Sequence, residues 1–202
     1  MTEQLAPTAL CTDEDVRIYL GRTVDEVDAE DRDTLIRLVN AASETFTDES
    51  QRIWRVDPAD NPSTKRYVVE YGDVRRNFIR IDDATQVLGC TTADQRIEGD
   101  VFVDLPFFTA PPSMEPIIRV ELYYDSGLVP GMAVDVEANW GWPVVPEKVR
   151  QAVIYTAAEW FARDVEKFSA TFSVDVGRIL LPSVLPQQVW EMAMSYRRWR
   201  VA

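Results

Sequence analysis

Apolar residues recur at three- and four-residue steps near both ends of the chain, and alternate with polar residues in short runs between. Near the start, Leu35, Leu38, Val39, Ala42 and Phe46 fall on one helical face, and the pattern can continue through Ile53 and Trp54. A stripe of this width predicts a helix packed on a core. A shorter helix precedes it. Thr12 offers an N-cap, Asp13, Glu14 and Asp15 fill the first turn, and Gly21 follows Val16, Ile18, Tyr19 and Leu20 as a stop. A polar linker, Arg22 to Ala29, joins the two, and Pro58 and Pro62 punctuate the loop beyond.

From Lys65 to Asn139 the period changes. Tyr67 to Tyr71, Asn77 to Ile81 and Thr85 to Leu88 are β-branched or aromatic, broken by Gly72-Asp73, Asp82-Asp83 and Gly89. These are strand and turn signals. Val101 to Val103, Ile117 to Tyr124 and Met132 to Ala138 continue the series. Between them, Leu105 to Pro112 is too proline-rich for a central strand.

The last strand runs into Trp140-Gly141-Trp142-Pro143, and Val145-Pro146 then opens a helix. Proline suits a helix start, where its missing N–H would be unpaired anyway, and Glu147 favours the positive helix pole. This helix, Pro146 to about Glu166, is apolar on more than one side through Val149, Ala152, Val153, Ile154, Ala157, Trp160 and Phe161. Such a helix is buried or packs against a second subunit. Phe168 to Leu181 is ambiguous between strand and loop. Pro186 opens a final helix carrying Val189, Trp190, Ala193, Met194 and Tyr196. The expected fold class is α+β: a bundle of about four helices, two N-terminal and two C-terminal, with an inserted antiparallel β region. The expected divisions are 1–60, 61–142 and 143–202.

Composition narrows the chemistry. The 202 residues suit one domain or one with a large insertion, and 46% apolar content supports a core. No apolar run approaches the roughly 18 residues of a membrane span. Met1 to Leu10 lacks the basic and apolar segments of a signal peptide, so the expected compartment is a cytoplasm. There is no histidine, which removes Ser-His-Asp and Cys-His catalysis and most zinc sites. Cys11 and Cys90 are far apart and read as buried or reduced thiols. A net charge of −13 argues against gripping nucleic acid, but an acidic wall suits a channel through which a duplex slides.

Four features could carry function. The acids Asp25, Glu26, Asp28, Glu30, Asp31 and Asp33 lack the spacing and glycine of a calcium loop, and read as a solvated linker and helix start. Trp140 and Trp142 could stack a sugar or base, but read better as indoles closing the edge of the core. Arg197, Arg198 and Arg200 surround Trp199 at the end of an acidic chain, a composition suited to docking a protein. Phe107 and Phe108 are adjacent aromatics in an extended stretch, where one is readily left exposed as a partner site. No catalytic, cofactor or metal residues are assigned.

The order of these motifs resembles the head-to-tail adaptors, or connector and head-completion proteins, of long-tailed bacteriophages. Cys11 to Gly21 with the helix Asp31 to Trp54 is similar to the start of such adaptors. Val134 to Pro143 followed by Val145 to Ala152 is the nearest match, and Leu185 to Arg200 resembles the ending of adaptors from actinobacterial phages. The middle, about residues 65–130, resembles only their general β insertion. The resemblance implies a structural virion protein that forms a ring, usually dodecameric, below the portal protein. It implies a channel for double-stranded DNA, which passes without specific binding. It also implies docking to the next connector (stopper) or tail component, with assembly in the host cytoplasm and final residence at the virion neck. Two other readings compete: a small carboxylate-based hydrolase, which needs a concave pocket with converging acids, and a monomeric binding module using the β region.

Overall fold

The computed structural model describes residues 3–22, 29–93, 102–105, 107–109, 114–123, 128–170 and 185–197. In chain order the elements are α1 (Asp13–Tyr19), α2 (Ala29–Ser50), a 3-10 turn (Pro58–Asp60), β1 (Ser63–Val68), α3 (Tyr71–Arg76), β2 (Phe78–Ala93), β3 (Phe102–Asp104), β4 (Phe107–Phe108), β5 (Ile117–Leu122), β6 (Ala133–Trp140), α4 (Glu147–Ala170) and α5 (Gln187–Tyr196). The chain forms two compact units, a helical one from Met1–Arg52 with Val145–Ala202, and a β unit from Ile53–Val144. The α+β class expected from the sequence is the one observed.

In the helical unit, α1 begins as its sequence dictates. The Thr12 hydroxyl accepts from the Asp15 N–H at 3.1 Å, and the Asp15 carboxylate accepts from the Thr12 N–H at 2.9 Å, a reciprocal cap that satisfies two helix-end donors. Gly21, at φ +69, ends the helix region in a conformation that favours glycine. The long helix α2 stops at Ser50 rather than running through Trp54. Gln51 turns the chain with φ +50, and Ile53 and Trp54 belong to the β unit. Periodicity alone could not place that stop, because Ile53 packs against the core of the β unit and Trp54 lies against Trp142, and both continue the apolar spacing of α2.

The helix α4 begins just after Pro146, whose carbonyl accepts from Val149 at 2.9 Å and Arg150 at 3.1 Å. It runs to Ala170, so Phe168 extends a helix; the rest of the ambiguous stretch, from residue 171, lies outside the described residues. Its neighbours within the unit are α1, α2 and α5, which explains why it is apolar on several sides. Val149, Val153 and Ala157 are fully buried and Trp160 is 1% exposed, while Leu38, Val39, Ala42 and Phe46 of α2 are fully buried.

The N-terminal segment is a strap along α2. Asn40 holds it at both polarities, accepting from the Ala6 N–H at 2.9 Å and donating to the Gln4 carbonyl at 3.1 Å. The Leu10 N–H donates to the buried Ser43 hydroxyl at 3.0 Å. Ala9, Leu10 and Cys11 are buried beside it.

An ion pair ties α1 to α4: Arg150 Nη2 lies 2.5 Å from Asp15 Oδ1. Burial works against the Asp15 carboxylate, but the Thr12 backbone, the Arg150 guanidinium and the Thr12 hydroxyl outweigh it and hold its pKa below the usual 3.8. A depressed carboxylate stabilises the fold above its unfolded pKa, and that contribution is lost as pH falls through the folded value. Asp15→Asn is therefore expected to lower stability by about 1 kcal/mol at neutral pH. In urea titrations the gap from the parent should shrink once pH drops below 3.8, the ordinary value for this side chain. A gap that is constant from pH 7 to pH 3 would contradict the assignment.

In the β unit, the sheet order is β1-β6-β2-β5-β4, with β3 also paired to β2, and every described pairing is antiparallel. The two runs read as separate strands around Asp82-Asp83 are one 16-residue strand, β2. Irregularities between Arg80 and Ala84 on the β5 side, and at Gln86 and Gly89 on the β6 side, let it bend and continue. Asp83 is 2% exposed because its carboxylate accepts from the Ile53 N–H at 3.1 Å and its carbonyl accepts from the Gly141 N–H at 2.8 Å. Asp83 thus ties loops to the sheet, and Asp82 pairs with Lys65 of β1 at 3.0 Å, so the acidic pair does not break the strand.

Tyr71, grouped with a strand on sequence grounds, starts the short helix α3 instead. The Asp73 carboxylate accepts from the Glu70 N–H at 3.1 Å, and Asn77 closes the helix at φ +53. The turn signal of Gly72-Asp73 is thus extended by a cap into a short helix. The proline-rich stretch does contain a strand, but only the two-residue β4, at the end of the sheet path. An edge is where such a sequence is tolerated. The core of the unit is formed by Val69, Ile79, Ile81, Val87, Val120, Leu122, Val134, Val136 and Trp140 with their neighbours.

Candidate docking surfaces

The Trp-Gly-Trp turn belongs to the β unit and is built inward. Asn61 brackets Trp140, accepting from its backbone N–H at 2.8 Å and donating to its carbonyl at 3.2 Å. The Trp140 indole N–H donates to the Ser63 carbonyl at 2.9 Å, and the Lys65 ammonium sits 4.5 Å from its ring centroid. At 3% exposure this ring has no face left for a ligand. Trp142 is half-buried, with its ring centroid 4.8 Å from that of Trp54, and its backbone N–H donates to the Trp54 carbonyl at 3.0 Å. The two indoles close the core edge, as the sequence pattern indicated.

Arg197 lies directly after α5 in the helical unit. Its N–H donates to the Met194 carbonyl at 3.2 Å, and its guanidinium approaches the Met194 sulfur at 3.7 Å. It is half-buried, whereas Arg198, Trp199 and Arg200 lie outside the described residues. Phe107 and Phe108 belong to the other unit. Phe107 pairs with Leu122 in register and packs partly buried against the sheet core, and Phe108 pairs with Glu121. The side chain of Phe108 is outside the described residues. The acids of the early linker divide likewise. Asp31 pairs with Arg22 at 3.3 Å and Asp33 accepts from the Glu3 N–H at 3.2 Å, while Asp25, Glu26 and Asp28 are not described.

Two grooves open on the helical unit. One of about 570 Å³ lies along α4 and α5, lined by Tyr155, Glu159, Arg163, Gln187 and Glu191 among others. Its two carboxylates are each engaged on their own helix, Glu159 by Arg163 and Glu191 by Gln187 at 3.1 Å. Trp190 is exposed on α5. The other groove, about 190 Å³, lies along α1 and α4 at Ile18, Tyr19 and Ile154, and Ile18 and Tyr19 are exposed. Among the described residues no group of three or more acids or cysteines could hold a metal ion. No described helix is long and apolar enough to cross a membrane. Both cysteines are buried and free, and burial pushes the Cys90 thiol up to about 12.

No protein-family model matches the sequence, and no curated protein does. Solved structures do match. A chain in the neck of an empty gene transfer agent (GTA) particle, computed with C6 symmetry, is similar over 98% of this chain and 94% of that one, at TM-score 0.51 and 17% identity. The chain shares the fold of a virion-neck protein. A chain of the native GTA virion is 18% identical at TM-score 0.47, over 98% of this chain and 94% of that one. A chain in the neck of the native GTA particle, computed with C12 symmetry, is 17% identical at TM-score 0.45, over 99% and 96%. The likeness spans both units, including the β region that the sequence motifs did not match residue by residue.

Sequence pattern did not single out the arginines of the β unit. Arg75-Arg76-Asn77-Phe78-Ile79-Arg80 reads as the start of a strand, and Arg119 sits in another. Only the register Arg80↔Arg119 brings them together. Three arginines within six residues of so acidic a chain were the available signal.

Proposed function

We propose that the chain is a structural protein of a virion neck, a head-to-tail adaptor that forms a ring below a portal protein and extends the channel for double-stranded DNA. The carrying observation is a fold shared over 98% of the chain with a protein of a particle neck. The order of sequence motifs supports the same reading independently. A net charge of −13 suits a conduit, because an acidic wall repels phosphates and keeps a moving duplex from sticking.

In this reading the ring, dodecameric as is usual in adaptors, offers one side to the portal and the other to a stopper or tail component. The C-terminal residues Arg197, Arg198, Trp199 and Arg200 form the portal-side docking element. Arg and Trp combine large contact area with directed polar groups. Phe107 and Phe108, on the edge strand β4, form a second contact. Assembly takes place in the host cytoplasm. The role is mechanical and needs no catalytic group.

Gold-labelled antibody on purified particles tests the reading. Label is expected at the junction of head and tail, and label confined to the capsid or tail tip would overturn it. In the same preparation, a chain lacking residues 196–202 should fold normally by circular dichroism yet fail to join DNA-filled heads. Normal attachment by the truncated chain would remove the docking role of the tail.

A further inference from the structure

The β unit gathers positive charge that its own fold neutralises only in part. Arg80 and Arg119 are direct cross-strand partners in β2 and β5, a placement of like charges that destabilises a sheet. Both guanidinium carbons lie 6.0 Å from the Phe78 ring centroid, and Arg119 also meets Glu121 at 3.0 Å. Arg75 and Arg76 stand exposed in the last turn of α3, separated from Phe78 only by the cap residue Asn77. Among the described residues, Arg75, Arg76 and Arg80 have no carboxylate partner. Tyr71, 71% exposed, lies one turn before Arg75 on the same helical face. Arginine interleaved with aromatics is the composition of an interface centre.

The helical unit carries the opposite defect. The last turns of α2 hold Glu44, Asp48 and Glu49 and no basic residue. Carboxylates are disfavoured there, because the helix dipole leaves that end negative. Glu44 and Asp48, both exposed, are also four residues apart on one face, a repelling pair. Among the described residues none of the three forms an ion pair.

We propose that the arginine surface around Phe78 docks on a second copy of this chain, at the acidic C-terminal end of its α2. The proposal rests on the ring reading above and names the surfaces that would close it. Two different patches meeting is a heterologous contact, the kind that builds a ring when the rotation closes. Each charge set is costly alone and favourable against the other. DNA phosphate is the rival occupant of the arginines. The overall charge of −13 disfavours DNA as the occupant, because the rest of the chain repels a polyanion.

The test is a charge exchange on the full chain, followed by sedimentation velocity over a concentration series. The parent chain is expected to self-associate, less so as salt rises. Arg80→Glu with Arg119→Glu, and separately Glu44→Arg with Asp48→Arg, should each weaken self-association by about tenfold or more. An equimolar mixture of the two variants should restore it, since each swapped surface then meets its complement. Rescue by mixing also shows that both variants are folded, and Arg80→Ala with Arg119→Ala supplies a milder version giving a smaller loss. A parent chain that stays monomeric at every concentration, variants that associate like the parent, or a mixture that does not recover would each overturn the proposal. So would a parent that binds duplex DNA through these arginines and loses only that binding on substitution. Association persisting in both variants would leave the ring reading intact with other surfaces closing it, while gold label absent from the neck would remove the neck reading itself.

Discussion

Replacing Trp160 with Ala is expected to lower the stability of the helical unit by roughly 3–5 kcal/mol, the range for deleting a large ring from a packed core. The ring is 1% exposed on α4, the helix that touches α1, α2 and α5. Truncation removes apolar area from burial and leaves a cavity that surrounding helices fill only partly. The indole N–H has no hydrogen-bond partner among the described residues, so the ring contributes by its apolar surface. Trp160→Phe should consequently recover more than half of the loss. Equilibrium urea unfolding followed by far-ultraviolet circular dichroism reads both substitutions. A midpoint unmoved by Trp160→Ala would show that the helical core is organised around other residues.

Gly141→Ala is expected to cost about 1–3 kcal/mol, from backbone strain joined to a close approach. Gly141 has φ +105, outside the range that side-chain-bearing residues readily adopt. A Cβ there would lie 3.3 Å from the Trp54 carbonyl oxygen and 3.6 Å from the Arg55 Cα. Neither can swing aside like a flexible side chain, because the Trp54 carbonyl is held by the Trp142 N–H. The added methyl therefore strains the turn that closes the β unit, and tryptophan fluorescence from Trp54 and Trp142 should shift with it. Gly72 provides the control. It lies in α3, and a methyl added there would meet nothing within 4 Å, so Gly72→Ala should be neutral or stabilise by about 0.4–1 kcal/mol. Equal losses from the two glycine substitutions would refute the strain argument.

The local features most legible in the chain were those in which one residue acts on its near neighbours. Thr12 and Asp15 cap α1 across three positions, and Gly21 stops it in the conformation that glycine favours. Pro146 and Pro186 stand at the starts of α4 and α5, where a missing N–H costs nothing. The all-round apolar pattern of α4 announced its central place, and the prolines around Phe107 and Phe108 kept that strand at the edge. Of the candidate site residues singled out in the sequence, Arg197 and Phe107 are each half-buried on a different unit, Phe108 follows Phe107 on β4, and Arg198, Trp199 and Arg200 lie outside the described residues.

Sequence by itself thus determined the types of the longer elements but not the short helix α3, together with helix ends carrying local caps and the split between helical and β character, because these depend on propensity and on residues three or four apart. Tertiary structure alone decided whatever depended on a distant partner. Ile53 looked like the end of α2, yet it packs against the core of the β unit, since an apolar pattern does not reveal which core a residue joins. Asp83 looked like a break in a strand until the Ile53 and Gly141 N–H groups satisfied it and let β2 run on. Asn40 and Ser43 looked like ordinary polar helix positions, and became anchors only when the N-terminal strap lay over them. Arg119 lies 39 positions beyond Arg80, and strand register alone makes them one surface. Hydrogen-bond partners and charge neighbours are chosen by the folded path of the chain, so a linear pattern can supply the groups without saying which of them will meet.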